Sequence, residues 1–321
     1  MSLVDFLSLE YPMKDLTKFW LIAAILFTCI SPSQNYVDVF KIGFGESFSN
    51  SFEGTNSETS ITYFDLNLTY PIQFNDRTAM ITGIDLVSSR LQLIPNGQRT
   101  SLYSTTLQLG LNHSFNEKWS AALVMLPKMA SDYKSLEWDD LLFGGYTVAR
   151  LKKTENLTYR FGWYLSDEQF GIFTTPIIGW YYLSPNSRFE MDVSLPISVD
   201  VNYALGAFTI GLDYFGIGRS YNINQVNRGN VYVQQGALDF ASYLQWNGFD
   251  KSVLIRGKLG YTSNDFELYA DGDTYDLGIT ALRINDDRIR LNPEINGGFF
   301  AKIEAIYRFN LNDSPDNEIN E

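Results

Sequence analysis

From Leu102 to Trp119 the chain reads LYSTTLQLGLNHSFNEKW, and its two sets of alternate positions differ in kind. Tyr103, Thr105, Leu107, Leu109, Leu111, His113 and Phe115 form one set; Ser104, Thr106, Gln108, Gly110, Asn112 and Ser114 form the other. Side chains on a strand alternate faces, so the pattern predicts one apolar face backed by one small, polar face. The run exceeds an ordinary globular strand of about five or six residues. It ends in the polar turn Asn116-Glu117-Lys118, flanked by Phe115 and Trp119, where a membrane interface favours aromatic rings. Such a strand is the repeating unit of a transmembrane β-barrel.

The unit recurs. A strand at 37–48 sets Phe40, Ile42 and Phe44 against Lys41, Gly43 and Gly45. The next, at 61–74, sets Phe64, Leu66, Leu68 and Tyr70 against Tyr63, Asp65, Asn67 and Thr69. Strands are also expected at 78–93, 119–129, 141–152, 172–183, 207–219, 231–246 and 252–263. In one more, Tyr159, Phe161, Trp163 and Leu165 oppose Thr158, Arg160, Gly162 and Tyr164. The segment 188–203 alternates throughout, and topology divides it at Pro196. Bacterial barrels keep short turns at one end, long loops at the other and an even strand number. The division gathers the short connections near 76, 117, 154, 186, 205 and 249 at one end. Residues 264–295 form a long outer loop with room for a hairpin of its own, and the closing strand at 299–309 turns Ala301, Ile303, Ala305, Tyr307 and Phe309 outward. The predicted fold is all-β, a single antiparallel transmembrane barrel of about fourteen strands, between twelve and sixteen.

The N-terminus adds a route to the membrane. Lys14 and Lys18 precede the apolar run Phe19 to Ile30, and Ser31-Pro32-Ser33 follow. A basic segment, a short apolar core and small residues before the cut define a secretory signal peptide, with cleavage expected after Ser33. The run is shorter than the about 20 residues a membrane helix needs. Met13 is the candidate start of the signal, with residues 1–12 as an upstream extension. The chain then divides into 1–33, a barrel at 34–309 and a polar, acidic tail at 310–321. Cys29, the one cysteine, lies in the signal segment, so the mature barrel has no disulfide or thiolate chemistry.

Composition narrows the class. Of 321 residues, 15% are aromatic and 19% charged, against about 25% charged in soluble domains. A mean hydropathy of −0.13 suits a barrel, whose inward half-strands stay polar. The net charge of −13 argues against a nucleic-acid partner, which needs clustered Lys and Arg.

The closing strand's Tyr307-Arg308-Phe309 resembles the C-terminal signature of Gram-negative outer-membrane proteins. That resemblance implies that Tyr307 and Phe309 are the assembly signal read by the barrel-assembly machinery, although twelve residues follow Phe309 here. The pattern over 34–309 is similar to outer-membrane barrel families known only as domains of unknown function. It implies an outer-membrane location, lipid as a partner and this fold, and it names no substrate.

Few residues invite chemistry. His113 is the single histidine, and Ser114 points to the opposite face, so the two cannot form a nucleophile–base pair. No catalytic residue and no cofactor is expected. Asp271, Asp273 and Asp276 are spaced as in a calcium loop, with Asp286-Asp287 nearby, but the twelve-residue pattern with its closing Glu is missing. A solvated hairpin tip explains the same residues, and no metal site is expected.

Inward-facing charges are more informative. Glu190, Asp192, Asp200, Asp213 and Asp239 fall on consecutive central strands and form an expected acidic wall. Lys41, Arg256, Lys258, Lys302 and Arg308 fall on the last strands and the first, an expected basic wall, and Arg150 with Arg160 adds a second basic pair. One reading is a wet pore with opposed charged walls; the other is a lumen filled by salt bridges and by Tyr63, Tyr146 and Tyr164. The functional expectation is a passive channel for small polar solutes. The alternatives are a non-conducting structural or surface-interaction barrel and, third, a lipid-modifying enzyme, which the lone histidine disfavours. A hydrophobe transporter would need an N-terminal plug, and strand one begins just after the expected cleavage site.

Overall fold

The computed structural model describes residues 36–224 and 230–310. The expected signal segment and residues 311–321 of the expected tail lie outside them. Thirteen long strands follow one another: β1 (Tyr36–Ser51), β2 (Glu58–Asn75), β3 (Thr78–Gln92), β4 (Arg99–Ser114), β5 (Trp119–Ser131), β6 (Leu141–Thr154), β7 (Leu157–Glu168), β8 (Gly171–Leu183), β9 (Phe189–Leu195), β10 (Ser198–Leu205), β11 (Phe208–Ile223), β12 (Val231–Gly248) and β13 (Val253–Thr262). Three short strands, β14 (Asp265–Ala270), β15 (Leu277–Ile279) and β16 (Leu282–Ile284), precede the closing strand β17 (Gly298–Asn310).

Each long strand pairs antiparallel with the next. β17 pairs with β13 on one edge and β1 on the other, which closes the sheet into a barrel of 14 strands. Closure leaves no strand edge along the wall, the condition for crossing a membrane with strands. The expected division at Pro196 is present, with β9 and β10 joined only by Pro196 and Ile197. Alternation sets the faces: Leu107, Leu109, Leu111, Leu123, Met125, Phe161, Trp163, Leu212 and Leu244 are all exposed on the outside.

Two features depart from the expected outline. The outer loop 264–295 begins with β14, which pairs with the upper half of β12 as β13 pairs with its lower half. β14 thus continues the β13 ribbon. Strands β5 and β11 also run past their predicted ends, to Ser131 and Ile223, and pair there in parallel through Asn222 and Ser131. The upper part of β11 leans across the barrel instead of following its wall.

That lean creates a core inside the outer end. Phe52, Ile61, Leu91, Leu102, Tyr221, Ile223, Val231, Val233, Phe266, Leu268 and Ile295 are buried together there. The same inward positions nearer the turns carry polar groups. β2 runs from Ile61 through Tyr63 and Asp65 to Asn67, and β4 from Leu102 through Ser104 and Thr106 to Gln108. The lumen is therefore apolar and packed at the outer end, and polar over the rest of its length.

Candidate functional site: the barrel lumen

Below the apolar core the barrel encloses a cavity of about 1190 Å³ that extends to the turn end, where Ser187, Arg188, Asp250 and Lys251 border it. All five expected acidic-wall residues and all five expected basic-wall residues line it.

The charges are paired. Arg256 lies 3.4 Å from Asp200, its guanidinium stacks 4.0 Å above the Tyr243 ring, and Tyr243 donates to Asp200 at 2.7 Å. Lys258 is ion-paired with Asp213, and Arg160 with Asp192. Glu190 accepts hydrogen bonds from Tyr36 at 2.7 Å and from Tyr181 at 2.9 Å. Asp239 stands beside Thr262 across the β12–β13 pair. Burial makes an unpaired ion costly, so most ions of this lumen stand beside an opposite charge or a hydrogen-bonding side chain.

The expected segregation of sign by strand does not hold. Glu304 lies within the basic wall, 3.2 Å from Lys41, 3.1 Å from Lys302 and 3.6 Å from Lys258, with none of its side chain exposed. Asp65 pairs with Lys302 at 2.5 Å, and Asp38 with Arg308 at 2.6 Å. The wall that reads as basic is neutralised where it stands. Glu304 shares the inward parity of Lys302 and Arg308, so alternation alone would have found it. Asp65 has the inward position expected of it on β2, and it joins the charges of this wall. Of the second basic pair, Arg160 takes Asp192, while Arg150 donates to the Asn112 amide oxygen at 2.9 Å.

A second cluster, unforeseen in the sequence, fastens the outer end. Glu168, at the end of β7, accepts from Lys128 at 2.5 Å and Ser166 at 2.7 Å through one oxygen. Through the other it accepts from the Ser220 backbone at 2.9 Å and hydroxyl at 2.7 Å. Asn222 donates to Asp140, just before β6, at 3.0 Å. Together these hold upper β11 against the tops of β5 to β8.

The remaining candidates lie elsewhere. His113 is on the outward face, hydrogen-bonded through Nδ1 to Thr78 at 2.9 Å and edge-on to Phe115. Asp271, Asp273 and Asp276 do not converge: Asp276 accepts from Asn285 at 2.6 Å, and the Asp273 carbonyl accepts from Tyr232 at 2.5 Å. No described group of three or more His, Cys, Asp or Glu is arranged to hold a metal ion. In the outer loop, Asp286 is held below the usual carboxylate range by its hydrogen bonds from Arg288, whose guanidinium stacks 4.0 Å from the Tyr269 ring. Tyr307 and Phe309 occupy β17 opposite Phe40 and Val37 of β1.

A closed antiparallel barrel with ionic groups inside and a continuous apolar belt outside defines the class: a transmembrane β-barrel. Residues 91–251 match the family described as Domain of unknown function (DUF6268), and the chain belongs to that family. No curated protein matches it. Similar solved structures include a TodX monoaromatic hydrocarbon channel mutant, at 11% identity and a TM-score of 0.36, covering 86% of this chain and 90% of that one. Pseudomonas putida OprB is similar at 8% identity and a TM-score of 0.33, covering 92% and 97%. Acinetobacter baumannii OccAB4 is similar at 10% identity and a TM-score of 0.29, covering 87% and 100%. Likenesses this distant carry neither a solute nor a mechanism across.

Proposed function

We propose that the protein is an outer-membrane barrel serving as a gated passage for small polar solutes, closed at its outer mouth in the conformation described. The cavity of about 1190 Å³, bordered by charges of both signs and reaching the turn end, carries this reading. A solute entering from the turns meets paired ions that can exchange a protein partner for a solute partner without stranding a charge. The Glu168 cluster is the fastening. Glu168→Ala removes the acceptor for Lys128 and Ser220, and β11 is then free to straighten.

Planar-bilayer recording tests this. The wild type should open rarely and Glu168→Ala should stay open for most of a trace, with both proteins folded by heat-modified gel mobility. The second reading, a non-conducting barrel, is favoured by the apolar core of the outer end. Silence of both proteins would establish it and remove the passage.

A further inference from the structure

The side wall is incomplete. β9 has 7 residues and β10 has 8, whereas their outer neighbours β8 and β11 have 13 and 16. β9 pairs with β8 only from Ile178 to Leu183, and β10 with β11 only from Phe208 to Phe215. Above the Pro196-Ile197 turn, β8 from 171 to 177 and β11 from 216 to 223 border a notch. A seven-residue strand tilted about 40° rises roughly 18 Å, against an apolar band about 25 Å tall. The notch therefore begins within the hydrocarbon, in its outer part.

A hairpin that belongs to no barrel strand fills it. β15 pairs in parallel with β8 through Gly278–Phe173 and Ile279–Thr174, and Thr280 donates to the Thr174 carbonyl at 2.9 Å. Bridged partners share a face, so Ile279 lies on the outward side with Thr174. In the β15–β16 pair, Leu277 stands opposite Ile284, and Ile279 opposite Leu282. All four apolar side chains are thus on the lipid side. On the other face Arg283 turns back to Glu267 at 2.6 Å. The hairpin's amphipathic pattern is that of a wall segment, yet its backbone joins the wall along one edge only, with the Arg283–Glu267 pair as a side-chain tie.

The polar cavity reaches the foot of this notch, where Ser198, Phe215, Gly218 and Arg219 line it. Phe173, on the inner face, stands between the two sides. A Cβ on Gly218 would lie 3.3 Å from its ring, and one on Gly278 2.9 Å from it. Two glycines let β11 and the hairpin close on a single aromatic ring. Arg219, at the outer end of the cavity, has no carboxylate within ion-pair distance among the described residues and bonds to Tyr221 instead.

We infer that the β15–β16 hairpin is a shutter over a lateral portal, through which a single-chain amphipathic anion passes between the lumen and the outer leaflet. The head group is held at Arg219, and the chain leaves past Phe215 and Phe173. A polar lumen sealed at its outer mouth by apolar packing has this wall gap as its alternative exit. The inference deepens the passage reading and rests on it for the lumen being a route.

The test is a reversible lock. In a Cys29→Ser background, Thr174→Cys with Ile279→Cys joins register partners, whose spacing in a parallel pair suits a disulfide. Proteoliposomes receive diazirine-tagged dodecanoate, and photolabelling of the peptide containing Phe215 is read by mass spectrometry. Oxidation should lower that labelling at least tenfold, and reduction should restore it. Arg219→Gln should reduce labelling by the dodecanoate and leave labelling by a diazirine-tagged dodecanol unchanged. Equal labelling in the oxidised and reduced forms, or labelling confined to outward-facing peptides, would overturn the portal. Ion conductance measured on the same samples separates the two claims: silent bilayers with lock-sensitive labelling sink the polar passage alone, and steady conductance with lock-insensitive labelling sinks the portal alone.

Discussion

Glu304 has no exposed side-chain surface and is surrounded by Lys41, Lys258 and Lys302. A carboxylate so placed is tolerated because three cations offset its lost hydration, and they depend on it in return. Glu304→Ala should leave those cations clustered with Asp65 and Asp213 only, for a loss of about 3–5 kcal/mol in urea unfolding. A loss under about 1 kcal/mol, the range of screened surface pairs, would mean that water fills this part of the lumen. Asp286 gives the corresponding test in the outer loop. Its carboxyl is depressed by the hydrogen bonds from Arg288, with Arg283 contributing 3.5 Å away. A depressed carboxyl adds stability that is complete above its unfolded pKa of about 3.9 and is lost as pH falls through the lower folded value. The protection of β16 amides, taken relative to intrinsic exchange at each pH, should therefore fall below about pH 4. Asp286→Asn should show low and pH-independent protection across that range; a wild-type profile in the variant would assign the acid response to another group.

At the scale of the strand, alternation is a physical statement about which solvent each side chain meets. Leu109 is exposed on the outer face, so Leu109→Arg places a charge in the apolar band at a cost of about 2–4 kcal/mol. Gln108 points inward and donates to Asp85 at 2.5 Å. Gln108→Arg keeps that acceptor and should leave folding into lipid vesicles nearly unchanged; equal losses would mean the faces are reversed. The same period made most of the barrel legible in the sequence, down to the division at Pro196. It did not reveal β14, because the polar–apolar alternation of DFELYA lasts only from Asp265 to Leu268, and the strand is buried on both faces. Nor did it show the lean of β11, since a contact between Asn222 and Ser131 joins distant stretches and leaves no local trace. The lumen charges were legible one by one from parity. Their pairing was not, because register and closure decide which of them meet. The sequence does carry a signal for the cap: inward positions turn apolar toward the outer ends, as at Ile61, Leu91 and Leu102.

For the whole molecule, that change divides the lumen into two media. Near the turns the inward side chains are charged and polar; at the outer end, Phe52, Tyr221, Phe266 and Leu268 are packed as in the interior of a soluble protein. Such a core does two things at once in a barrel, adding stability and shutting the mouth. Phe266 comes from β14, the ribbon that the outer loop lays along β12, and it is fully buried. Phe266→Ala should leave a cavity beneath the cap and cost about 3–5 kcal/mol. Leu123→Ala on the outer belt, where the side chain is 63% exposed and already meets lipid, leaves no such void and should cost far less. Under the passage reading, the Phe266 variant should also conduct more often than the wild type in planar bilayers, because water can enter a loosened cap. The Leu123 variant should conduct as the wild type does. Destabilisation without added conductance would show that the cap is a structural core and that the fastening at Glu168 does not guard a path through it.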